Sequence, residues 1–130
     1  MCIRDRHITS FVGKSDEKSI KTQETVLNEI STNVCVSFDP GRLYTERGLN
    51  FLENFLIRTD ILLINQSELK LLTTGNIEDS RRSAGKYETQ EIAEKVQLEY
   101  GIDMVVVKMG DNGSYVTHNG NCLLYTSRCV

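Results

Sequence analysis

The chain has 130 residues, and its 18 acidic and 15 basic side chains give a formal net charge of −3. This balance excludes a polybasic surface for nucleic acid or for a membrane as the main feature of the chain. Apolar residues make up 39% and charged residues 25% of the sequence, which is ordinary for a globular domain and argues against disorder. We therefore expect one folded domain with a hydrophobic core.

Neither a membrane segment nor a secretory signal is expected. The longest uninterrupted apolar stretches, 61–64 and 104–107, are far shorter than the roughly 20 residues of a membrane-spanning helix. Three of residues 1–6 are charged and no apolar core follows them, so they do not fit a signal peptide. The four cysteines form no C-x-x-C pair, which argues against a zinc site or a disulfide framework. The sequence predicts a cytoplasmic protein.

The two ends of the chain do not continue the pattern of the middle. Residues 1–6 carry no matching periodicity, and residues 123–130 stop without a helix or a cap. Both resemble translated adapter sequence, so we predict that they are not native, although a terminal strand is the alternative for 123–126. The domain is then predicted to span residues 7–122, and the gene is expected to continue beyond both ends.

The middle of the chain alternates between strand and helix patterns. Residues 76–88 are polar and aperiodic and are predicted to form a surface loop. The runs at 61–64 and 104–109 show no polar alternation, which suits parallel strands buried on both faces. Strands are predicted at 7–12, 34–38, 61–64, 104–109 and 114–117, and helices at 20–30, 49–56, 65–75 and 89–101. This order predicts an α/β fold, a doubly wound parallel sheet with helices on both faces and an antiparallel hairpin at its edge.

Ligands of such sheets bind beyond the carboxyl ends of the strands, which directs attention to the residues that follow each strand. Asn65-x-x-Glu68 lies where a buried strand becomes a helix. Asparagine at the N-cap and glutamate three residues later form a capping box. The same two oxygen-bearing side chains could instead hold a hydrated Mg²⁺ on phosphates. Both interpretations remain open at this level.

Two further motifs follow strands. Lys108-x-Gly110-x-x-Gly113 is either a tight hairpin turn or a segment whose glycines let the backbone approach a phosphate beside a lysine. Asp39-Pro40-Gly41-Arg42 fits a type II turn, or a strand-end loop in which Asp39 or Arg42 faces a substrate. His7 and His118 are too isolated in the sequence to predict a catalytic or metal pair.

Taken together and in this order, the motifs resemble the PfkB carbohydrate kinase (ribokinase-like) family. The resemblance runs through 36–41, 59–68, 71–75 and 105–113. Members of this family transfer the γ-phosphate of ATP to a hydroxyl of a sugar, a sugar acid or a nucleoside. The resemblance implies that Asn65 and Glu68 organise Mg²⁺, through water, and the ATP phosphates. It likewise assigns Lys108, Gly110 and Gly113 to the nucleotide site, and it matches Asp39 to the family's acidic Asp-Pro position, which is followed in many members by Asn rather than Gly41.

The family's catalytic Gly-Ala-Gly-Asp segment, whose aspartate is the general base, does not occur in this chain. The resemblance therefore implies a truncated ribokinase-like fold that carries part of a nucleotide and Mg²⁺ site and is inactive alone. The expected partners are a small sugar or nucleoside and a second copy in a homodimer of the full-length protein, with no nucleic acid and no membrane. The alternatives are a non-catalytic nucleotide- or metabolite-binding domain, and an unrelated α/β domain that would place Asn65, Glu68 and Lys108 on different edges of its sheet.

Overall fold

A computed structural model describes residues 4–10, 16–82, 85–118 and 121–125, without the side chains of Lys86 and Cys122. Six strands form one sheet in chain order: β1 (Asp5–Thr9), β2 (Cys35–Asp39), β3 (Ile61–Asn65), β4 (Met104–Lys108), β5 (Ser114–His118) and β6 (Asn121–Tyr125). The helices are α1 (Glu17–Glu29), α2 (Gly41–Thr45), α3 (Leu49–Ile57), α4 (Gln66–Thr74), α5 (Ile77–Arg81) and α6 (Lys86–Tyr100).

The sheet is mixed. Strands β1 to β4 pair in parallel, whereas β5 and β6 add to β4 as antiparallel strands. The predicted α/β class, with its parallel sheet and closing hairpin, is therefore confirmed. Asn119 and Gly120, a pair typical of a hairpin turn, lie outside the described residues, as do residues 11 and 12 of the first predicted strand.

The two faces of the sheet differ in burial. Side chains on one face of β2, β3 and β4 are at most 1% exposed: Val36, Phe38, Leu62, Ile64, Val105 and Val107. The strands follow one another in chain order, and the usual right-handed crossover places successive connecting helices on the same face of such a sheet. Contacts of α3 with both α1 and α6 agree with this arrangement. The alternate side chains, such as Leu63 and Val106, are only half-buried. Within the described residues, β3 and β4 are thus fully buried on one face rather than on both.

An aromatic cluster joins the end of β2 to α2 and α3. The rings of Phe38 and Phe55 stack with their centroids 5.3 Å apart, and Tyr44 lies 5.8 Å from Phe55. The Tyr44 hydroxyl donates to Gln23 Oε1 at 2.8 Å, and Gln23 Nε2 donates to the carbonyl of Thr9 at 3.1 Å. This cluster therefore fixes α1, α2 and the first strand relative to the end of β2.

We expect ionisation of Tyr44 to lower the free energy of unfolding at alkaline pH. Burial raises the pKa of its hydroxyl, assisted by Glu24 and opposed by Arg47, while the unfolded chain keeps the ordinary value of about 10. The free energy of unfolding should therefore fall as the pH rises above 10, because the unfolded tyrosine ionises first. Urea unfolding of the parent and of Tyr44→Phe at pH 9 and pH 11 measures this. The parent should lose more stability than the variant between the two values, and an equal loss would contradict the assignment.

Two short helices differ from the sequence predictions. The type II turn at Pro40 and Gly41 is wrong, because Pro40 has φ −65° and ψ −26°, a helical conformation that leads directly into α2. The loop predicted over 76–88 contains α5, because the Asn76 side chain accepts from the backbone N–H groups of Glu78 and Asp79. Helix α6 also begins three residues earlier than predicted, at Lys86 rather than at Thr89. Apolar periodicity does not detect such short, polar, side-chain-capped turns.

Residues near both ends of the chain belong to strands of the sheet. Asp5 and Arg6 belong to β1 and pair with β2, and Leu123 to Tyr125 belong to β6 and pair with β5. Residues 123–125 thus lie in a strand, whereas residues 1–3 and 126–130 lie outside the described part. That residues 1–6 and 123–130 are not native stays a prediction. Among the described helices, none is both long and apolar enough to cross a membrane.

Candidate functional site

Three polar side chains end three neighbouring strands. Asp39, Asn65 and Lys108 are the last residues of β2, β3 and β4, and Asn65 lies beside Lys108 in the strand register. Because the three strands are parallel, these residues share the carboxyl edge of the sheet, which we call the strand-end site. Glu68 joins them from the first turn of α4. Asn65, Glu68 and Lys108 therefore lie at one edge of the sheet. The resemblance to the kinases predicts this arrangement, whereas an unrelated α/β domain was expected to place the three residues on different edges.

The capping box predicted at the start of α4 is present. Asn65 Oδ1 accepts from the Glu68 backbone N–H at 2.8 Å and from the Ser67 hydroxyl at 2.8 Å. Glu68 Oε2 in turn accepts from the Asn65 backbone N–H at 3.0 Å. One carboxylate oxygen of Glu68 is thus used by the helix, while the structure shows no described residue hydrogen-bonded to the other. That oxygen lies at a helix N-terminus, where the backbone dipoles favour anions such as phosphate.

Lys108 and Asp39 form an ion pair that spans the end of β3. Lys108 Nζ lies 3.3 Å from Asp39 Oδ2, and Asp39 Oδ1 accepts from the Gly41 backbone N–H at 3.2 Å. The lysine side chain is 52% exposed and the aspartate side chain 29% exposed. The strand-end site therefore contains an accessible cation whose position is linked to the β2–α2 junction.

The turn between β4 and β5 is a single 3₁₀ turn over Gly110–Asn112. The Met109 backbone N–H donates to the Gly113 carbonyl at 2.8 Å, which confirms the tight turn. Gly110 and Gly113 have φ values of +56° and +87°, the left-handed region that glycine adopts readily. A Cβ on Gly110 would meet no atom within 4 Å, so this backbone is open to a ligand. The turn and the phosphate interpretations are compatible here.

Arg42, the second substrate candidate, lies on α2. Its Nε donates to Glu46 Oε1 at 2.8 Å, and the two side chains are 49% and 40% exposed. Within the part of the chain that the structure describes, no hydrogen bond or ion pair joins Arg42 to Asp39, Asn65 or Lys108. A contact of Asp39 or Arg42 with substrate stays a prediction.

The structure explains why position 41 is a glycine, which the sequence did not reveal. Its φ is +54°, and a Cβ built on it would lie 2.6 Å from Ser10 Oγ. Ser10 is 5% exposed and directly follows β1, so it has little room to move. An asparagine at position 41 would meet both obstacles. No local pattern points to Ser10, because it reaches this position only through the β1–β2 pairing.

We expect Gly41→Ala to destabilise the fold by about 1 kcal/mol more than Gly75→Ala. Gly75 is a matched control, because its φ is +65° but a Cβ there meets nothing within 4 Å. The difference then measures the contact with Ser10 alone. Urea unfolding of both variants, and of Ser10→Ala with Gly41→Ala, tests this, and the double variant should recover the excess loss. Equal losses at positions 41 and 75 would show that Ser10 moves aside without cost.

The strand-end site fits Mg²⁺ only in the company of phosphates. Within 4–10, 16–82, 85–118 and 121–125, no three His, Cys, Asp or Glu side chains are grouped so that they could hold a metal ion. Mg²⁺ commonly retains several waters and is bound by one or two carboxylates together with substrate phosphates. The single Glu68 carboxylate beside Asn65 matches that donor set.

The chain resembles known proteins in sequence and in fold. No family model matches the sequence. A protein of Archaeoglobus fulgidus, described as an uncharacterized sugar kinase, is 36% identical over 110 residues. That alignment covers 85% of this chain and 38% of the sugar kinase, so the chain spans well under half the length of its relative.

Solved structures with the same fold include a PfkB protein and a ribokinase. The PfkB protein of Polaromonas superimposes with a TM-score of 0.69 at 19% identity, over 95% of this chain and 40% of that one. The ribokinase of Arabidopsis thaliana, solved with ribose and ATP, gives a TM-score of 0.68 at 21% identity, over 94% of this chain and 34% of that one. The resemblance to the PfkB, ribokinase-like kinases is therefore confirmed: the chain has their α/β fold, and its sequence relative is a sugar kinase.

Proposed function

We propose that this chain is part of an ATP-dependent kinase that transfers the γ-phosphate of ATP to a hydroxyl of a sugar, a sugar acid or a nucleoside. The observation that carries the proposal is the strand-end site, where Glu68 at the start of α4 and the accessible Lys108 share one edge. The sugar kinase relative and the ATP-bound ribokinase fold support this substrate class and cofactor. A cytoplasmic location and a homodimer stay predictions.

Each residue of the site has a distinct part in this proposal. A bound Mg²⁺ would supply positive charge that offsets the negative charge of the phosphates during transfer. Glu68 and Asn65 would hold the ion through water, with the capping box fixing the orientation of the carboxylate. Lys108 would offset phosphate charge as a flexible cation, and the backbone at Gly110 and Gly113 would let the nucleotide approach closely.

The general base is proposed to lie outside these residues. In this proposal Asp39 pairs with Lys108 and Glu68 holds Mg²⁺ through water, so neither carboxylate is assigned the role of base. The family's Gly-Ala-Gly-Asp segment, which supplies the base, does not occur in the 130 residues. We therefore expect residues 1–130 alone to show no phosphoryl transfer above background.

The test is ADP formation by the full-length kinase that contains residues 1–130. It is measured with Mg²⁺ and ATP over a panel of sugars, sugar acids and nucleosides. The expected result is Mg²⁺-dependent turnover with at least one alcohol, with product confirmed by mass spectrometry. Residues 1–130 serve as the control without turnover. Saturable binding of ATP without transfer to any alcohol in the panel would instead support the non-catalytic nucleotide-binding alternative.

A further inference from the structure

We propose that Asp39 is a positioning residue for Lys108, and that it supports nucleotide binding through the lysine rather than by contact with the ligand. The proposal rests on the proposed function, in which Lys108 lies beside the ATP phosphates. It assigns Asp39 a role different from the substrate contact that the sequence suggested.

The geometry carries the proposal. Lys108 ends β4 and Asp39 ends β2, so the 3.3 Å ion pair holds the lysine across the end of β3, next to the start of α4. Asp39 is itself fixed, because its other carboxylate oxygen accepts from the Gly41 N–H and Pro40 follows it directly. The ammonium has three donor hydrogens, and one contact with Asp39 leaves two for a phosphate.

The pair is poorly explained as a stabilising contact. Ion pairs between partly exposed side chains are typically worth about 0–1 kcal/mol. The lysine is 52% exposed, so its flexible stem would otherwise sample many rotamers. Holding the stem in one orientation lowers the entropic cost when the ammonium later meets a phosphate.

Direct binding of ATP by Asp39 is disfavoured by charge. A carboxylate beside phosphate oxygens is repelled unless a cation lies between them, and the described cation in contact with Asp39 is Lys108. The effect of Asp39 on the nucleotide should therefore depend on the presence of Lys108.

A double-mutant cycle in the full-length kinase tests this dependence. The variants are Asp39→Asn, Lys108→Met and the combination, and the measurement is the Kd of ATP with Mg²⁺ by calorimetry. Asparagine keeps an oxygen for the Gly41 N–H while it removes the charge. Asp39→Asn should raise Kd roughly two- to five-fold, the range of a partly exposed ion pair. In the Lys108→Met background it should cause no further weakening. The same fold-increase in both backgrounds would overturn the proposal.

A second measurement separates this proposal from the proposed function. The ¹³C relaxation order parameter of the Lys108 ε-methylene, measured without nucleotide, should fall in Asp39→Asn. An unchanged order parameter would overturn the positioning role whatever the ATP affinities are. A lower order parameter in Asp39→Asn would show that Asp39 holds the lysine in place. If Lys108→Met then binds ATP normally, the proposed role of Lys108 in nucleotide binding is wrong.

Discussion

Glu68→Gln is expected to lower kcat of the full-length kinase roughly 10- to 100-fold, the loss typical when a side chain that orients a metal is replaced. Glutamine retains an oxygen for the Asn65 N–H and is accepted at the third position of a capping box. The substitution therefore removes the negative charge and leaves the cap. The cost in stability should be at most about 1 kcal/mol, from the lost interaction with the helix dipole.

The measurement is kcat as a function of Mg²⁺ concentration, beside a thermal melt of each variant. Glu68→Ala is the comparison, because it removes both the charge and the capping oxygen. It should match Glu68→Gln in kcat but have a lower Tm. A normal kcat in Glu68→Gln, together with a destabilised Glu68→Ala, would show that Glu68 only caps the helix and does not organise Mg²⁺.

Lys108→Met should raise the Kd of ATP by about 10-fold or more, since a hydrogen bond to a charged group is typically worth about 1.5–3 kcal/mol. Methionine retains an unbranched apolar stem and removes only the ammonium. The affinity for the alcohol substrate should change little, because the lysine is expected to face phosphate. Separate titrations with ATP and with the alcohol measure the two effects.

Lys108→Arg is the matched control for charge. Arginine keeps the positive charge and can pair with Asp39, so it should retain most of the ATP affinity that methionine loses. Stability should be nearly unchanged in both variants, because the ion pair is partly exposed. Normal ATP affinity in Lys108→Met would remove the lysine from the nucleotide site.

The larger elements of the fold could be predicted because their signals are local. The runs around Leu62 and Val105 lack polar alternation, and the helix after Asn65 has a cap at its start and Gly75 in the left-handed conformation at its end. Helices α2 and α5 could not be predicted in this way. Each is only five residues long, too short for apolar periodicity to appear.

The candidate site was predictable in position but not in its contacts. Strand ends at one edge of a parallel sheet identify Asn65, Glu68 and Lys108 as neighbours. The ion pair between Asp39 and Lys108 joins residues 69 positions apart, and its partners depend on the strand order. The sequence also could not separate a capping box from a metal-organising pair, because the same two side chains satisfy both. The structure shows that the capping box is formed.

The most direct test of the proposed site is the broadening of backbone amide signals of the full-length kinase by Mn²⁺ with ATP, compared with Mg²⁺ with ATP. Mn²⁺ takes the place of Mg²⁺ on the phosphates and relaxes nearby nuclei. Broadening should be strongest at residues 65–68 and 108–113. Broadening centred elsewhere, for example on the cavity of about 200 Å³ lined by His7, Thr22 and Gln23 between β1 and α1, would contradict this expectation.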